Sequence, residues 1–122
     1  MPPKTIATAA AISGHIFHEE VGAGGTYRVI STGPVRLLGV NFDNTVNTSA
    51  DCWLKFYDTA TPTVGTTVPW MILRVRKGTV LRAAFRGFTS TTALSVAVVS
   101  AGGTGGTSSP GQDATLKVSV AS

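Results

Sequence analysis

Histidine, cysteine and carboxylate side chains carry most enzyme chemistry and metal binding, and this sequence holds few of them. Its two histidines, His15 and His18, lie three positions apart near the start of the chain and are followed by Glu19 and Glu20. A helical zinc pair needs histidines at i and i+4 together with a third ligand. The lone cysteine, Cys52, alternates with apolar residues, which predicts a buried thiol. We therefore expect no catalytic site, no metal site and no cofactor, in a protein that is not an enzyme.

The aspartates and the glycine clusters indicate local structure rather than a reactive site. Asp43 and Asp51 flank one polar loop, where a weak surface cation site is one interpretation and the ends of strands or turns are the other. The glycine clusters at 22–25 and 102–106 lack the lysine and the following helix of a phosphate-binding loop. We expect these clusters to be flexible connections.

Four arginines form the one group that suggests a binding surface. The strands Trp70–Val75 and Thr79–Phe85 are predicted to pair as a hairpin, with Gly78 of the connecting loop in the left-handed conformation. In that register Leu73 lies opposite Leu81 on an apolar face, and the other face collects the basic residues. The predicted partner-binding residues are Trp70, Arg74, Arg76, Arg82 and Arg86. This face is interpreted as an ordinary solvated surface, as a docking face for an acidic partner or, least favoured, as a nucleic-acid surface.

Short apolar stretches with a two-residue period predict the elements that position these residues. The predicted strands are Thr26–Ser31, Val35–Asp43, Cys52–Asp58, Trp70–Val75, Thr79–Phe85, Ala93–Ser100 and Ala114–Val120. Their predicted inward residues include Leu38, Val40 and Phe42, then Cys52, Leu54 and Phe56, then Leu94, Val96 and Val98, and finally Leu116, Val118 and Val120. The polar stretches Thr59–Pro69 and Ala101–Asp113 are expected to be exposed loops.

The resulting fold class is all-β. We predict a single-domain antiparallel β-sandwich, jelly-roll-like, with an extended N-terminal arm. The arm comprises residues 1–25 and the β-sandwich domain residues 26–122. Two interpretations of the arm stay open: it is either a surface arm or edge strand at residues 14–18, or an extended segment that pairs with a neighbouring subunit.

Composition narrows the kind of partner. Only 13% of the 122 residues are charged, against about 25% in ordinary soluble domains, which suggests that partners cover part of the surface. The net charge of +4 favours an acidic protein partner. Nucleic acid is disfavoured as the partner, because no basic run alternates with aromatic residues. No apolar run approaches the ~20 residues that span a bilayer, so no membrane partner is expected.

One stretch resembles a known family. The residues from Leu54 to Pro69, LKFYDTATPTVGTTVP, are similar to a pattern in small virion structural proteins of tailed bacteriophages. The strand and glycine-containing turn that follow, and the later segments Phe88–Val98 and Gly102–Thr107, extend the resemblance over roughly residues 35 to 105. The charged turn Arg74–Lys77 departs from the pattern. The resemblance implies a β-sandwich subunit on the head or tail of a phage particle.

These observations together suggest a capsid decoration or cement protein. Such a protein, expected as a homotrimer, would bridge the major capsid protein or other virion subunits on the particle surface after assembly in the host cytoplasm. The alternative is a tail, baseplate or fibre-associated β-sandwich module that binds a receptor or carbohydrate. Its expected mark is an exposed aromatic platform, for which Trp53, Tyr57 and Trp70 are the candidates.

Overall fold

The computed structural model describes residues 4–5, 14–21, 27–107 and 114–121, with the backbone alone at 4–5, 14–21, 86 and 87. All of its regular elements are β-strands, and every strand pairing is antiparallel. The strands are β1 (Lys4–Thr5), β2 (Gly14–Val21), β3 (Tyr27–Ser31), β4 (Arg36–Asp43), β5 (Cys52–Tyr57), β6 (Met71–Val75), β7 (Val80–Thr89), β8 (Leu94–Val99) and β9 (Ala114–Ala121). Within these described ranges there is no helix, and hence no helix suited to crossing a membrane. The prediction of an all-β fold is confirmed.

The strands form two sheets with a nested pairing. A five-stranded sheet has the order β1-β2-β9-β4-β7, and a four-stranded sheet has the order β3-β8-β5-β6. The chain pairs β5 with β6, β4 with β7, β3 with β8 and β2 with β9. This is the pairing of one long hairpin whose successive strand pairs enter alternate sheets. Lateral pairing of β4 with β9 and of β5 with β8 then completes the two sheets.

The core is built from both sheets by the period-2 alternation of their strands. The inward residues of β5, β8 and β9 are buried as the sequence predicts, in one cluster that also contains Val40 and Phe42 of β4. In β4 one inward residue differs from the prediction, because the register shifts between Leu37 and Gly39. Such an irregularity changes which side chain faces inward. Leu37 is therefore fully buried in the core, whereas Leu38 is only half-buried.

The predicted hairpin of β6 and β7 is wrong. β6 pairs with β5 in one sheet and β7 with β4 in the other, so Leu73 and Leu81 are not cross-strand partners. An alternating pattern determines which face of a strand is apolar, but not which strand it pairs with. The apolar residues of β6 and β7 pack against the same core cluster although the two strands belong to different sheets. The turn itself is confirmed at Gly78, whose φ is +70°, in the left-handed region that glycine adopts readily.

A buried polar group holds this turn in place. The Asn44 side-chain amide donates to the carbonyls of Val75 and Arg76, and the Gly78 N–H donates to the Asn47 carbonyl at 2.8 Å. Asn44 Oδ1 accepts from the Asn47 amide and from the Cys52 thiol. The two asparagines are almost fully buried, so these hydrogen bonds replace the water that they lose. Cys52 is buried, as predicted.

β2 lies inside the stretch predicted as an arm. Its backbone pairs with β9 of the same chain along its whole length, from Gly14 opposite Ala121 to Val21 opposite Ala114. β1 pairs with the opposite edge of β2. The division of the chain into an arm at 1–25 and a domain at 26–122 stays a prediction.

Candidate interaction surfaces

The four arginines do not share one face of a hairpin. Arg74 lies on β6 of the four-stranded sheet, and Arg76 lies in the turn that follows. Arg82 and Arg86 lie on β7 of the five-stranded sheet, and the side chain of Arg86 is outside the described residues. The single basic face expected from sequence is therefore wrong, for the reason that β6 and β7 belong to different sheets. Partner binding by each of these residues stays a prediction.

Arg74 and Arg76 line a cleft of about 530 Å³ at the loop end of the four-stranded sheet, here called the basic cleft. Its charged and aromatic lining residues are Asp51, Trp53, Arg74, Arg76 and Lys77. One carboxylate thus stands among three cationic side chains. The register explains the grouping, because Trp53 on β5 lies directly opposite Arg74 on β6.

Asp51 organises the basic cleft. Its Oδ2 accepts from Arg74 Nη2 at 2.6 Å and from Arg74 Nε at 3.0 Å, and its Oδ1 accepts from the Lys77 backbone N–H at 2.8 Å. These hydrogen bonds, with the positive charges of Arg74 and Arg76, lower the pKa of the Asp51 carboxyl. The carboxylate is therefore ionised at neutral pH and holds both a guanidinium and the turn.

Trp53 is engaged within the protein. The Arg74 guanidinium carbon lies 5.4 Å from the centre of its ring, a cation–π distance. The Gly102 backbone packs so closely that an added Cβ would lie 3.0 Å from the six-membered ring. Both contacts use ring surface that a stacked base or sugar would need.

Trp70 lies at the edge where the two sheets meet, away from the basic cleft. Its ring makes an edge-to-face contact with Phe88 at 6.0 Å, and Phe88 makes another with Phe85 at 5.3 Å. The Trp70 backbone N–H donates to the Phe56 carbonyl at 2.6 Å, which fixes the start of β6. Trp70 therefore bridges the edge strands β6 and β7, and only Phe88 among the three rings is more than a third exposed, at 41%.

Arg82 lies on the outer face of the five-stranded sheet, here called the open face. Asn41 on β4 is flanked there by Arg82 on β7 and by Lys117 on β9. Beside this row, Gly39 is flanked by Ala84 and Ser119, and the small side chains leave a depression of about 420 Å³. No loop of the described residues lines this depression.

Sequence reasoning missed the burial of the opposite outer face, that of the four-stranded sheet, here called the covered face. Five residues of its two central strands, Lys55, Tyr57, Ser95, Ala97 and Val99, are all at most 1% exposed although they point away from the core. Ile72, opposite Lys55 on the edge strand β6, is 37% exposed. The Lys55 ammonium donates to the Gly106 carbonyl at 2.8 Å, and desolvation lowers the pKa of this lysine. The Tyr57 hydroxyl has no hydrogen-bond partner among the described residues, and burial raises its pKa.

Two loops cover this face. The β8–β9 loop contributes Gly102 against Trp53 and Gly106 to Lys55. The β5–β6 loop meets it at Gly65, whose added Cβ would lie 2.6 Å from Thr107 Cγ2. The sequence contains one signal for this burial. Ala97 and Val99, at the outward positions of β8, are apolar, and a glycine-rich loop follows them. An apolar outer face of this kind needs a cover.

Asp58 anchors the start of the β5–β6 loop. Its carboxylate accepts from the backbone N–H groups of Thr91, Thr92 and Ala93 and from the Thr91 hydroxyl at 2.7 Å. Desolvation raises the pKa of Asp58, but these hydrogen bonds outweigh it and lower the pKa to about 2. Asp58 thus ends a strand and fastens a turn, which is the structural role expected of the aspartates.

The described residues contain no group of three or more metal-ligating side chains. At the loop between β4 and β5, Asp43 Oδ1 accepts from Thr45, while Asp51 is bound to Arg74 and Lys77. Burial raises the pKa of the Cys52 thiol to about 11, which removes its reactivity at neutral pH. Asp51, Asp58 and the Cys52 thiol are thus each engaged in hydrogen bonds within the protein. Comparison with protein-family models, with curated proteins and with solved structures finds no match to this chain.

Proposed function

We propose that the two sheets pack as a β-sandwich of jelly-roll type, with β2 to β9 as its eight strands and β1 as an addition. Jelly rolls contain eight strands in two sheets built from Greek keys. The nested pairing of β2 with β9, β3 with β8, β4 with β7 and β5 with β6 supports this assignment. The core cluster, which draws on both sheets, supports face-to-face packing.

We propose that the chain is a structural virion protein of a tailed bacteriophage, and most specifically a capsid decoration or cement protein. The nested strand order carries this proposal, because jelly rolls are a recurrent fold of viral capsid proteins. The resemblance over residues 35 to 105 supports it independently. On this proposal the protein has no catalytic role. It sits on the particle surface after assembly in the host cytoplasm and, as a trimer, links neighbouring capsid subunits by several weak contacts at once.

Jelly rolls also include lectin domains, so a receptor- or carbohydrate-binding tail module is the competing proposal. The aromatic candidates for a sugar platform weigh against it. Tyr57 is 0% exposed, and Trp53 is in contact with Arg74 and Gly102. Trp70 packs against Phe88 and the core cluster.

Cryo-electron microscopy of intact particles tests the proposal. We expect density for the chain at symmetry-related positions on the outside of the head, in groups of three. Heads that lack the chain are expected to release DNA at a lower temperature, and added purified protein to restore the normal value. Density confined to the tail, or glycan binding by the purified protein, would contradict the decoration role and favour the alternative.

A further inference from the structure

We infer that the basic cleft is the docking site for an acidic polypeptide segment of the partner, that is, for a stretch rich in aspartate and glutamate side chains. The inference deepens the proposed function and rests on it for the identity of the partner, but not for the chemistry of the cleft. It relocates partner binding from the expected hairpin face to Asp51, Trp53, Arg74, Arg76 and Lys77.

The basic cleft carries a net positive charge that favours an anionic ligand. Asp51 is bound by Arg74 and by the backbone of Lys77, so it neutralises one of three cationic side chains. The side chains of Arg76 and Lys77 are both exposed and lie in consecutive positions of one turn. The remaining positive charge attracts carboxylates by ordinary electrostatic complementarity.

Arg74 is already oriented for a second carboxylate. Asp51 takes its Nε and one terminal nitrogen, while the Trp53 ring lies beneath the guanidinium. A guanidinium has five N–H donors, so donors remain after these two hydrogen bonds. Because the side chain is held from two sides, binding loses little conformational entropy there.

The turn that carries Arg76 and Lys77 is also held in advance. The buried Asn44 amide binds the carbonyls of Val75 and Arg76, and the Gly78 N–H binds the Asn47 carbonyl. Two buried asparagines thus fix the backbone of a turn whose side chains point into solvent. A rigid backbone under exposed cations is the arrangement that favours specific docking over general attraction.

The same contacts disfavour a nucleic-acid partner. Single-stranded nucleic acid is bound by a track of cations along its phosphates together with aromatic rings that stack on its bases. Trp53, the aromatic residue of the cleft, already contacts Arg74 and Gly102, so its ring surface is not free to stack on a base. An acidic peptide needs neither stacking nor a continuous track.

Titration of the purified protein with a synthetic oligoglutamate peptide tests the inference. Calorimetry measures the affinity, and NMR chemical-shift changes show which residues are affected. We expect binding that weakens as salt is added and shifts centred on the cleft. The double variant Arg76→Ala with Lys77→Ala removes only side chains, since the carbonyl of Arg76 and the N–H of Lys77 remain. It is expected to lower the affinity about tenfold.

The matched control is Arg36→Ala with Lys117→Ala, at two exposed positions of the five-stranded sheet outside the basic cleft, which removes the same charge and is expected to leave the affinity unchanged. An equal loss in both double variants, or no binding by the unaltered protein, would overturn the inference. Equally strong binding of an oligodeoxynucleotide through Arg76 and Lys77 would overturn it in favour of phosphate.

If the cleft binds oligoglutamate but the chain is absent from particles, the proposed function fails alone. If the cleft variant still decorates heads normally, the docking inference fails alone.

Discussion

The covered face and the open face are the two outer surfaces of one fold, and they differ in what lies over them. On the open face the strands carry Gly39, Asn41, Arg82, Ala84 and Lys117, and the described loops leave them uncovered. On the covered face the strands carry Tyr57, Ala97 and Val99 together with a lysine, and two loops bury all of them.

The difference teaches that alternation along a strand decides only which side chains leave the core. Whether those side chains meet water depends on loops that are distant in sequence. Lys55 and the Gly106 carbonyl that binds it are 51 positions apart. The covered face therefore acts as a second, smaller core, and the open face acts as an ordinary solvated surface.

The largest expected effect on stability comes from a lysine placed on the covered face, compared with a lysine placed on the open face. Ala97→Lys buries a second ammonium directly opposite Lys55 and is expected to lower the free energy of unfolding by at least about 3 kcal/mol. Ala84→Lys on the open face is expected to change it by less than about 0.5 kcal/mol. Urea denaturation measures both. Ala97→Glu should lose less than Ala97→Lys, because Lys55 can pair with the new carboxylate, and equal losses would argue against the burial of Lys55.

A matched pair of glycines tests the cover itself. A Cβ at Gly106 would overlap the Ala101 carbonyl oxygen and lie 2.8 Å from the Ala101 Cβ, whereas a Cβ at Gly105 meets nothing within 4 Å. Gly106→Ala is therefore expected to cost about 1–3 kcal/mol of unfolding free energy, and Gly105→Ala almost nothing. Similar losses in thermal unfolding would show that the loop does not lie over Lys55 as described.

Replacement of Asp58, which fastens the β5–β6 loop, is expected to give a loss of stability that depends on pH. Asp58→Asn is expected to cost about 1–2 kcal/mol at neutral pH, because hydrogen bonds to a charged acceptor are lost. The folded-state pKa of Asp58 is lowered from its ordinary 3.8 to about 2. The stability from the ionised form is therefore present above pH ~4 and is lost as the pH falls towards ~2. The gap between the variant and the parent protein, followed by denaturation at several pH values, should close over that interval, and a constant gap would contradict the role of the charge.

The smallest expected effect is a gain in the free energy of unfolding. Tyr57→Phe removes a buried hydroxyl that has no hydrogen-bond partner among the described residues, so the free energy of unfolding is expected to rise by up to about 1 kcal/mol. Tyr27→Phe on β3, where the side chain is partly exposed, serves as the control with no change. A clear loss of stability in Tyr57→Phe would mean that the hydroxyl makes a hydrogen bond within the cover.

Much of the fold could be predicted because the governing signal is local. Each of the seven strands from Tyr27 onward overlaps a predicted stretch, although β7 continues to Thr89, four residues past the predicted end, and the inward residues of β5, β8 and β9 are those predicted. The left-handed Gly78 follows from its place in a short turn. Each of these features depends on residues within a few positions of one another.

The features that could not be predicted depend on residues far apart. The sequence of β6 and β7 is compatible with pairing as a hairpin or with places in two different sheets, and only the pairing of β6 with β5 and of β7 with β4 decides between them. The prediction that the four arginines share one face depended on the hairpin and is wrong for the same reason. The basic cleft depends on Asp51, which the sequence marks only as an aspartate beside a loop.

The protected thiol of Cys52 has a practical consequence for labelling. It is fully buried, donates to Asn44 Oδ1 at 3.0 Å and has a pKa near 11, so maleimide reagents at neutral pH should leave it unmodified. A single cysteine introduced at an exposed site would then take up a fluorophore selectively, without prior removal of the native thiol. The folded protein is in this sense ready for site-directed distance measurements.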